Sequence, residues 1–356
     1  MGVSAKTNFD SNLVMTYLRS GVPLQPALKQ HPTLQLLLGP AKAVNRRGIP
    51  GVSFGNNALD EQGKYLKVAI RKGASNMAQL TRANMTAART GASPDVGDLA
   101  EVQTAWAQIP YTVPVDFMTE GASKYWDANG SAEQWLGDQI MEDYANTTGS
   151  YLFGSGAGFI PGDGKFGSLR AQITDGATAV ARGYGIDDSA LSNFLNISRT
   201  SAYQSQVANG AGGAFTEKMG LSIALYMQKV GATQGEIFAP MGLTRYTNFV
   251  DRLYSSYGKY ELTAGERQML GFPDVDAVKV NGVIYYPEPD MADGLTYQLF
   301  INKSSVIAGS NFRNAIVRQA PDPTKNAADM FDTLFKHQLV VDKPWQCGII
   351  HNLVAA

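Results

Sequence analysis

The chain has 356 residues, enough for two domains or one large two-lobed body at roughly 150 residues per domain. Only 17% are Asp, Glu, Lys or Arg, where soluble domains carry about 25%, while 44% are hydrophobic and 10% aromatic. The low charge and the aromatic content exclude a disordered chain, and no stretch reaches the roughly 18 consecutive apolar residues of a membrane span. Low charge without a membrane segment leaves much neutral surface to cover. That composition is typical of interface cores, where Lys and Glu are depleted and aromatics enriched.

Cys347 stands alone, which excludes a disulfide framework and a paired-cysteine metal site. The N-terminus has no apolar signal core, so the expected compartment is a cytoplasm, and Lys6 stands where a myristoylation motif wants Ser or Thr. The formal net charge of −1 conceals a division. Residues 1–90 hold twelve basic and three acidic side chains, and residues 91–190 hold four basic and fourteen acidic. Either surface charge simply drifts along the chain, or a basic N-terminal segment lies on acidic surface, its own or a neighbour's, or faces nucleic acid.

Residues 1–63 read as an arm. A short helix is predicted at Ser11–Leu18, with Leu13, Tyr17 and Leu18 on one side, followed by Gly21-Val22-Pro23 and an apolar run over Leu34–Leu38. Prolines and glycines punctuate the rest too often for a separate core. Lys64–Lys72 (KYLKVAIRK) alternates as a half-buried strand, with Leu66, Val68 and Ile70 on one face. Glu101–Met118 (EVQTAWAQIPYTVPVDFM) is a second extended run. Pro110 and Pro114 inside it predict an edge strand, because proline cannot donate to a ladder. Residues 64–118 together read as a long hairpin-like excursion, marginal in water by itself. Burying four or five of Leu66, Val68, Ile70, Leu99, Trp106 and Ile109 is worth about 6–12 kcal/mol, so the excursion should dock on another surface.

Ser131–Phe153 is the clearest helix, opened by a Ser131/Gln134 capping box and carrying Leu136, Ile140, Tyr144, Thr148 and Tyr151 at helical spacing. At about 1.5 Å per residue it runs roughly 33 Å. Trp135 and Tyr151 are expected to pack. Further helices are predicted after Asp188, over Thr216–Val230 with Met219, Ile223, Tyr226 and Val230 inward, and over Leu243–Tyr257. The inward stripe of the last is Leu243, Tyr246, Val250, Leu253 and Tyr257. Short strands are predicted at Glu236–Ala239, Ala277–Val280, Val283–Tyr286, Leu299–Ile301 and Val306–Ala308, with Asn281-Gly282 as a hairpin turn. Asn326–Lys336 is predicted as a helix, and Gln338–Val341 and Gly348–Leu353 as extended chain.

No catalytic or cofactor-binding constellation emerges, so an enzyme is not expected. The glycine-rich Gly154–Gly167 segment fails as a phosphate loop, because Phe159 stands at the first glycine position and Phe166 follows Lys165. A flexible surface loop is the plainer reading. His31, His337 and His351 are scattered through an arm, a helix end and the terminal strand, with no second ligand at metal spacing. Glu288, Asp290 and Asp293 share one loop but lack the spacing of a helix–loop–helix calcium site, and a solvated loop is expected there.

The order of a basic arm, an extended hairpin, a long helix and a mixed body resembles the major capsid protein of tailed double-stranded DNA bacteriophages, an α+β protein of the Hong Kong 97 fold. LKVAIRK and VQTAWAQIPYTVPVDF look like its extended loop leading into a spine helix, here Ser131–Phe153. EIFAPMGLTRYTNFVDRLYSS resembles its strand-then-helix body, VNGVIYYPEPDM with TYQLFINKSSVIAG its axial segment, and FDTLFKHQLVVDKPWQCGIIHNL its closing helix and strand. The resemblance implies an arm at 1–63, an extended loop at 64–118, a peripheral domain at 119–235, an axial domain at 236–320 and a return to the peripheral domain at 321–356. It implies self-assembly into hexamers and pentamers of an icosahedral virion shell, with no cofactor. A separate scaffolding protein, a portal, possible decoration proteins and packaged DNA are the implied partners. Arg71, Lys72, Arg82 and Arg89 on the loop would meet Asp138, Glu142 and Asp143 of a neighbouring copy, and Trp106 is a further candidate contact between subunits. A cargo-storing bacterial nanocompartment shell of the same fold is the alternative, and an unrelated α/β enzyme is the third.

Overall fold

A computed structural model describes residues 11–20, 22–38, 65–70, 98–103, 105–114, 132–154, 157–159, 161, 164–173, 206–233, 235–257, 276–291, 297–324, 328–341 and 343–354. The arm contains three short helices, α1 (Ser11–Ser20), α2 (Leu24–Leu28) and α3 (Pro32–Leu38). Helix α1 buries Val14 and Leu18, one turn apart, while Leu13, expected on the same face, points outward. Pro32 opens α3, where its fixed φ suits a first helical turn, and every residue of α3 is buried.

Strand β1 (Tyr65–Ile70) pairs antiparallel with β2 (Asp98–Gln103), Tyr65 opposite Gln103 and Ile70 opposite Asp98. The single run expected over Glu101–Met118 is two strands. After Gln103 the chain leaves β1, and β3 (Ala105–Pro114) joins a different sheet, as its edge strand. Ala105 and Val113 of β3 are buried, whereas Trp106, Gln108 and Pro110 are exposed.

Helix α4 (Ala132–Leu152) buries Leu136, Ile140, Met141, Tyr144, Ala145, Thr148 and Leu152 along one stripe. The Ser131 cap predicted for it lies outside the described residues. Trp135 packs partly buried against the same core. Tyr151 does not, at 42% exposure, and lies edge-on to Phe159. Phe166 and Pro161 are buried, so the described part of the glycine-rich segment is anchored rather than a free loop. Its last residues lead into α5 (Leu169–Gln172), where the Ser168 hydroxyl oxygen accepts the Ala171 N–H at 2.9 Å.

The body continues with β4 (Gln206–Asn209), α6 (Glu217–Lys229), β5 (Ile237–Met241) and α7 (Leu243–Tyr257), then the hairpin of β6 (Val278–Val280) and β7 (Val283–Pro287). Asn281 and Gly282 both take positive φ, 53° and 80°, as the two-residue hairpin turn requires. Strands β8 (Gln298–Asn302), β9 (Val306–Pro321), β10 (Ala328–Val341) and β11 (Gly348–His351) follow. The helix expected after Asp188 falls outside the described residues.

Two sheets carry the body, a three-stranded β3-β10-β9 and a six-stranded β4-β11-β8-β5-β7-β6. The six-stranded sheet is shared between two cores. Leu299, Ile301 and Ile349 face the core built with α1–α4, whereas Phe300 and Ile350 face the core under α6 and α7. Each helix stripe is turned relative to the sequence expectation. On α6, Ile223, Ala224 and Met227 are buried, but Tyr226 is 55% exposed. On α7, Phe249 and Leu253 point inward, and Leu243 is 49% exposed.

The helix expected at Asn326–Lys336 is strand β10. Met330, Phe331, Leu334 and Phe335 fit a helical stripe, yet Phe331, Thr333, Phe335 and His337 also alternate with period two, and between Asp329 and His337 these four are the buried residues. Pairing on both sides decides it: β10 lies opposite β3 over Ala328–His337 and opposite β9 over Asp329–Val341. The register on β9 jumps between the pairs Leu334–Ile316 and Lys336–Asn311. Phe312 and Ala315 lie in that irregularity, and the Ala315 carbonyl accepts two hydrogen bonds from Arg19 of α1, at 3.2 and 2.9 Å.

Tyr144, Phe312 and Phe335 form the centre of this core, with ring centroids 4.8 to 5.2 Å apart. His337, expected at a helix end, is a buried core residue on β10, stacked on Phe166 at 4.5 Å. Its Nδ1 has no hydrogen-bond partner, and burial pushes its ring down to about 3. Phe335→Ala should cost about 3–5 kcal/mol of unfolding free energy, read from a denaturant midpoint. His337 stays neutral on folding, so its contribution is full above an ordinary pKa of about 6.5 and fades as pH falls toward its lowered value. A His337→Leu chain should therefore lose less stability on acidification than the parent, by about 1.4 kcal/mol per pH unit below that ordinary value, measured by urea unfolding.

Candidate interaction surface and a buried polar junction

The outward face of α4 carries Asp138, Glu142, Asp143 and Asn146, all exposed. Two of these carboxylates are held by tyrosines from flanking elements. Tyr17 of α1 donates its hydroxyl to Asp138 Oδ1 at 2.9 Å, and Tyr111 of β3 donates to Asp143 Oδ2 at 2.5 Å. Gln139 Nε2 donates to Glu142 Oε2 at 3.4 Å. Burial first, then the neighbouring carboxylate, pushes Tyr17 up to about 12 and Tyr111 well above its ordinary value. Both phenols remain donors at any physiological pH and hold Asp138 and Asp143 in place between α1 and β3.

Trp106 projects from β3 at 55% exposure, with Lys336 Nζ 5.3 Å from its ring centroid. More than half of this indole is exposed, and its area is the kind that dominates interface energetics. Trp106, Asp138, Glu142 and Asp143 are thus presented outward on adjoining elements. Arg71, Lys72, Arg82 and Arg89 lie outside the described residues. Periodicity missed the exposed Leu225 and Tyr226 on α6 and Leu243 and Tyr254 on α7, because a helix stripe read from sequence has no fixed rotation until a sheet lies beneath it.

A second constellation was scattered in the sequence. His31, at the junction of α2 and α3, places Nδ1 at 2.6 Å from Asp290 Oδ2 and Nε2 at 2.9 Å from Asn146 Oδ1. The solvated loop expected around Glu288 and Asp290 is instead a buried junction, and Asp293 lies outside the described residues. Glu288 is fully buried, and Thr33 donates to its Oε2 from both the hydroxyl and the backbone N–H, the latter at 2.7 Å. Thr33 Oγ1 also lies 2.8 Å from the Tyr286 hydroxyl. Burial raises the Glu288 carboxyl, with Asp290 adding to the shift, to about 7. No sequence spacing could have flagged this set, since His31 and Asp290 are 259 positions apart.

Among the described residues, no group of three or more His, Cys, Asp and Glu side chains is arranged to hold a metal ion. No described helix is long and apolar enough to cross a membrane.

No protein-family model matches the sequence, and no curated protein matches it either. Solved structures do. The cyanophage A-1(L) capsid asymmetric unit aligns at TM-score 0.57 and 14% identity, over 91% of this chain and 93% of that one. The capsid of a native GTA particle aligns at TM-score 0.51 and 15% identity, over 83% and 86%. The capsid of an empty GTA particle aligns at 0.50 and 14%, over the same shares. With a long helix α4 beside a three-stranded sheet, a six-stranded body sheet and an excursion β1–β2, the chain has the Hong Kong 97-type fold of tailed-phage major capsid proteins.

Proposed function

We propose that this chain is a major capsid protein, a structural tile that assembles with copies of itself into the hexamers and pentamers of an icosahedral shell around a double-stranded DNA genome. The observation that carries the reading is mutual coverage. A capsid subunit accounts for 91% of this chain, and this chain accounts for 93% of that subunit, so the fold is shared nearly end to end. The 17% charged fraction agrees, as do Trp106, Leu225, Tyr226 and Leu243, apolar side chains left open that neighbouring copies would cover.

In this reading the excursion over 64–118, rooted in the body sheet through β3, reaches a neighbour, 119–235 and 321–356 form the peripheral domain, and 236–320 the axial domain. The row Asp138, Glu142 and Asp143 receives Arg71, Lys72, Arg82 and Arg89 of an adjacent copy, and Trp106, on the other face of β3, is a further contact between copies. The role is structural rather than catalytic. A scaffolding protein, a portal, packaged DNA and decoration proteins on the outside are the further partners, and any DNA contact of the basic arm is backbone-directed and salt-sensitive.

Electron microscopy of the expressed chain, alone and with its neighbouring gene product, tests this directly. Closed shells or capsomers are expected; a stable monomer with a saturable small-molecule site would overturn the reading, and shells filled with a co-expressed enzyme would favour a cargo compartment. Arg71→Glu with Lys72→Glu should lower shell yield several-fold, with partial recovery when Glu142 and Asp143 are changed to Lys. Undiminished yield from the first pair would remove that contact from the proposal.

A further inference from the structure

Around His31 the arm meets both other parts of the molecule. Its Nδ1 faces a carboxylate oxygen of Asp290, in the turn after β7, and its Nε2 faces the amide oxygen of Asn146 on α4. Both ring nitrogens therefore look at acceptors. An imidazolium donates from both, whereas a neutral imidazole donates from only one, so the geometry is built for the charged ring. The ring is nonetheless buried, at 6% exposure. Two residues on, Thr33 ties the start of α3 to the buried Glu288, which also accepts the Asp290 N–H at 3.3 Å. Helix α4 comes close enough that a side chain at Gly149 would collide with both His31 and Asp290.

We propose that this junction is a proton-operated latch: with His31 doubly protonated it clamps α2 and α3 onto α4 and onto the turn after β7, and loss of the proton loosens that clamp. Burial opposes the charge on His31, but Asp290, Asn146 and the nearby Glu288 outweigh it and hold the ring above its ordinary value. Burial also holds Glu288 up. Both groups bind protons more tightly in the folded chain than in the unfolded one. Their contribution is full below their ordinary values and is lost as pH rises through the raised ones, the reverse of ordinary acid unfolding. Asp290 and Glu288 are the charged groups acting on His31; Asn146 is neutral, Tyr286 reaches the cluster through Thr33, and Lys29 at the end of α2 is exposed. Because the two carboxyls and the ring interact, the latch titrates as a unit.

Hydrogen-exchange mass spectrometry of the full chain at about pH 6 and about pH 8.5, corrected for intrinsic exchange, reads the latch at peptides over residues 22–38. Size-exclusion chromatography at both values separates any change of assembly state from local opening. Protection of those peptides should fall several-fold at the higher pH relative to peptides of β5 and β8. His31→Gln, which keeps a donor but cannot carry the charge, should shrink the difference to the part that Glu288 supplies, and Asp290→Asn should shrink it as well. Equal protection at the two pH values in the parent chain would overturn the latch, as would an unchanged pH response in Asp290→Asn, which retains the shape of the site. The outcome is independent of whether the chain builds a shell.

Discussion

The structure depends on β10 being paired on both of its edges and packed on one face at once. Strand β3 arrives from one side and β9 from the other, and α4 lies against the buried row Phe331, Thr333, Phe335 and His337. Over Asp329–Leu334 the strand is paired on both edges, and the aromatic contact of Tyr144, Phe312 and Phe335 seats α4 on it. The irregularity in β9 then releases the Ala315 carbonyl to Arg19, which fixes α1 alongside. Spine helix, edge strand and arm take their positions from that one pairing.

Polar groups are treated in two ways. On the outer face of α4, the carboxylates of Asp138 and Asp143 are held by tyrosines yet remain exposed, where each interaction is weak by itself and available to another surface. At the junction of α3, α4 and β7, His31 and Glu288 are taken out of water beside a half-buried Asp290, where an unpaired charge would cost far more and the geometry must be close. The exposed row suits contact between molecules. The buried cluster joins parts of one molecule whose sequences lie more than a hundred residues apart.

Much of the architecture was legible one element at a time. Helix α4 announced itself through Leu136, Ile140, Tyr144 and Thr148, the β6–β7 turn through Asn281-Gly282, and the edge position of β3 through Pro110. What failed was ambiguous by its own physics. Phe331 and Phe335 suit a helix as well as a strand, and Tyr226 and Leu243 border their helix stripes, so a small rotation moves each into solvent.

The sequence by itself determined the neutral composition, the division into a basic quarter and an acidic one, the long helix and the extended excursion, because local propensity and periodicity are written residue by residue. Only the tertiary structure decided that residues 328–341 are a strand, that Tyr17 and Tyr111 from distant segments hold Asp138 and Asp143 of α4, and that the buried ring of His31 meets Asp290 and Asn146. Each of these is a juxtaposition of distant segments, and no local rule of propensity or spacing acts across such a distance.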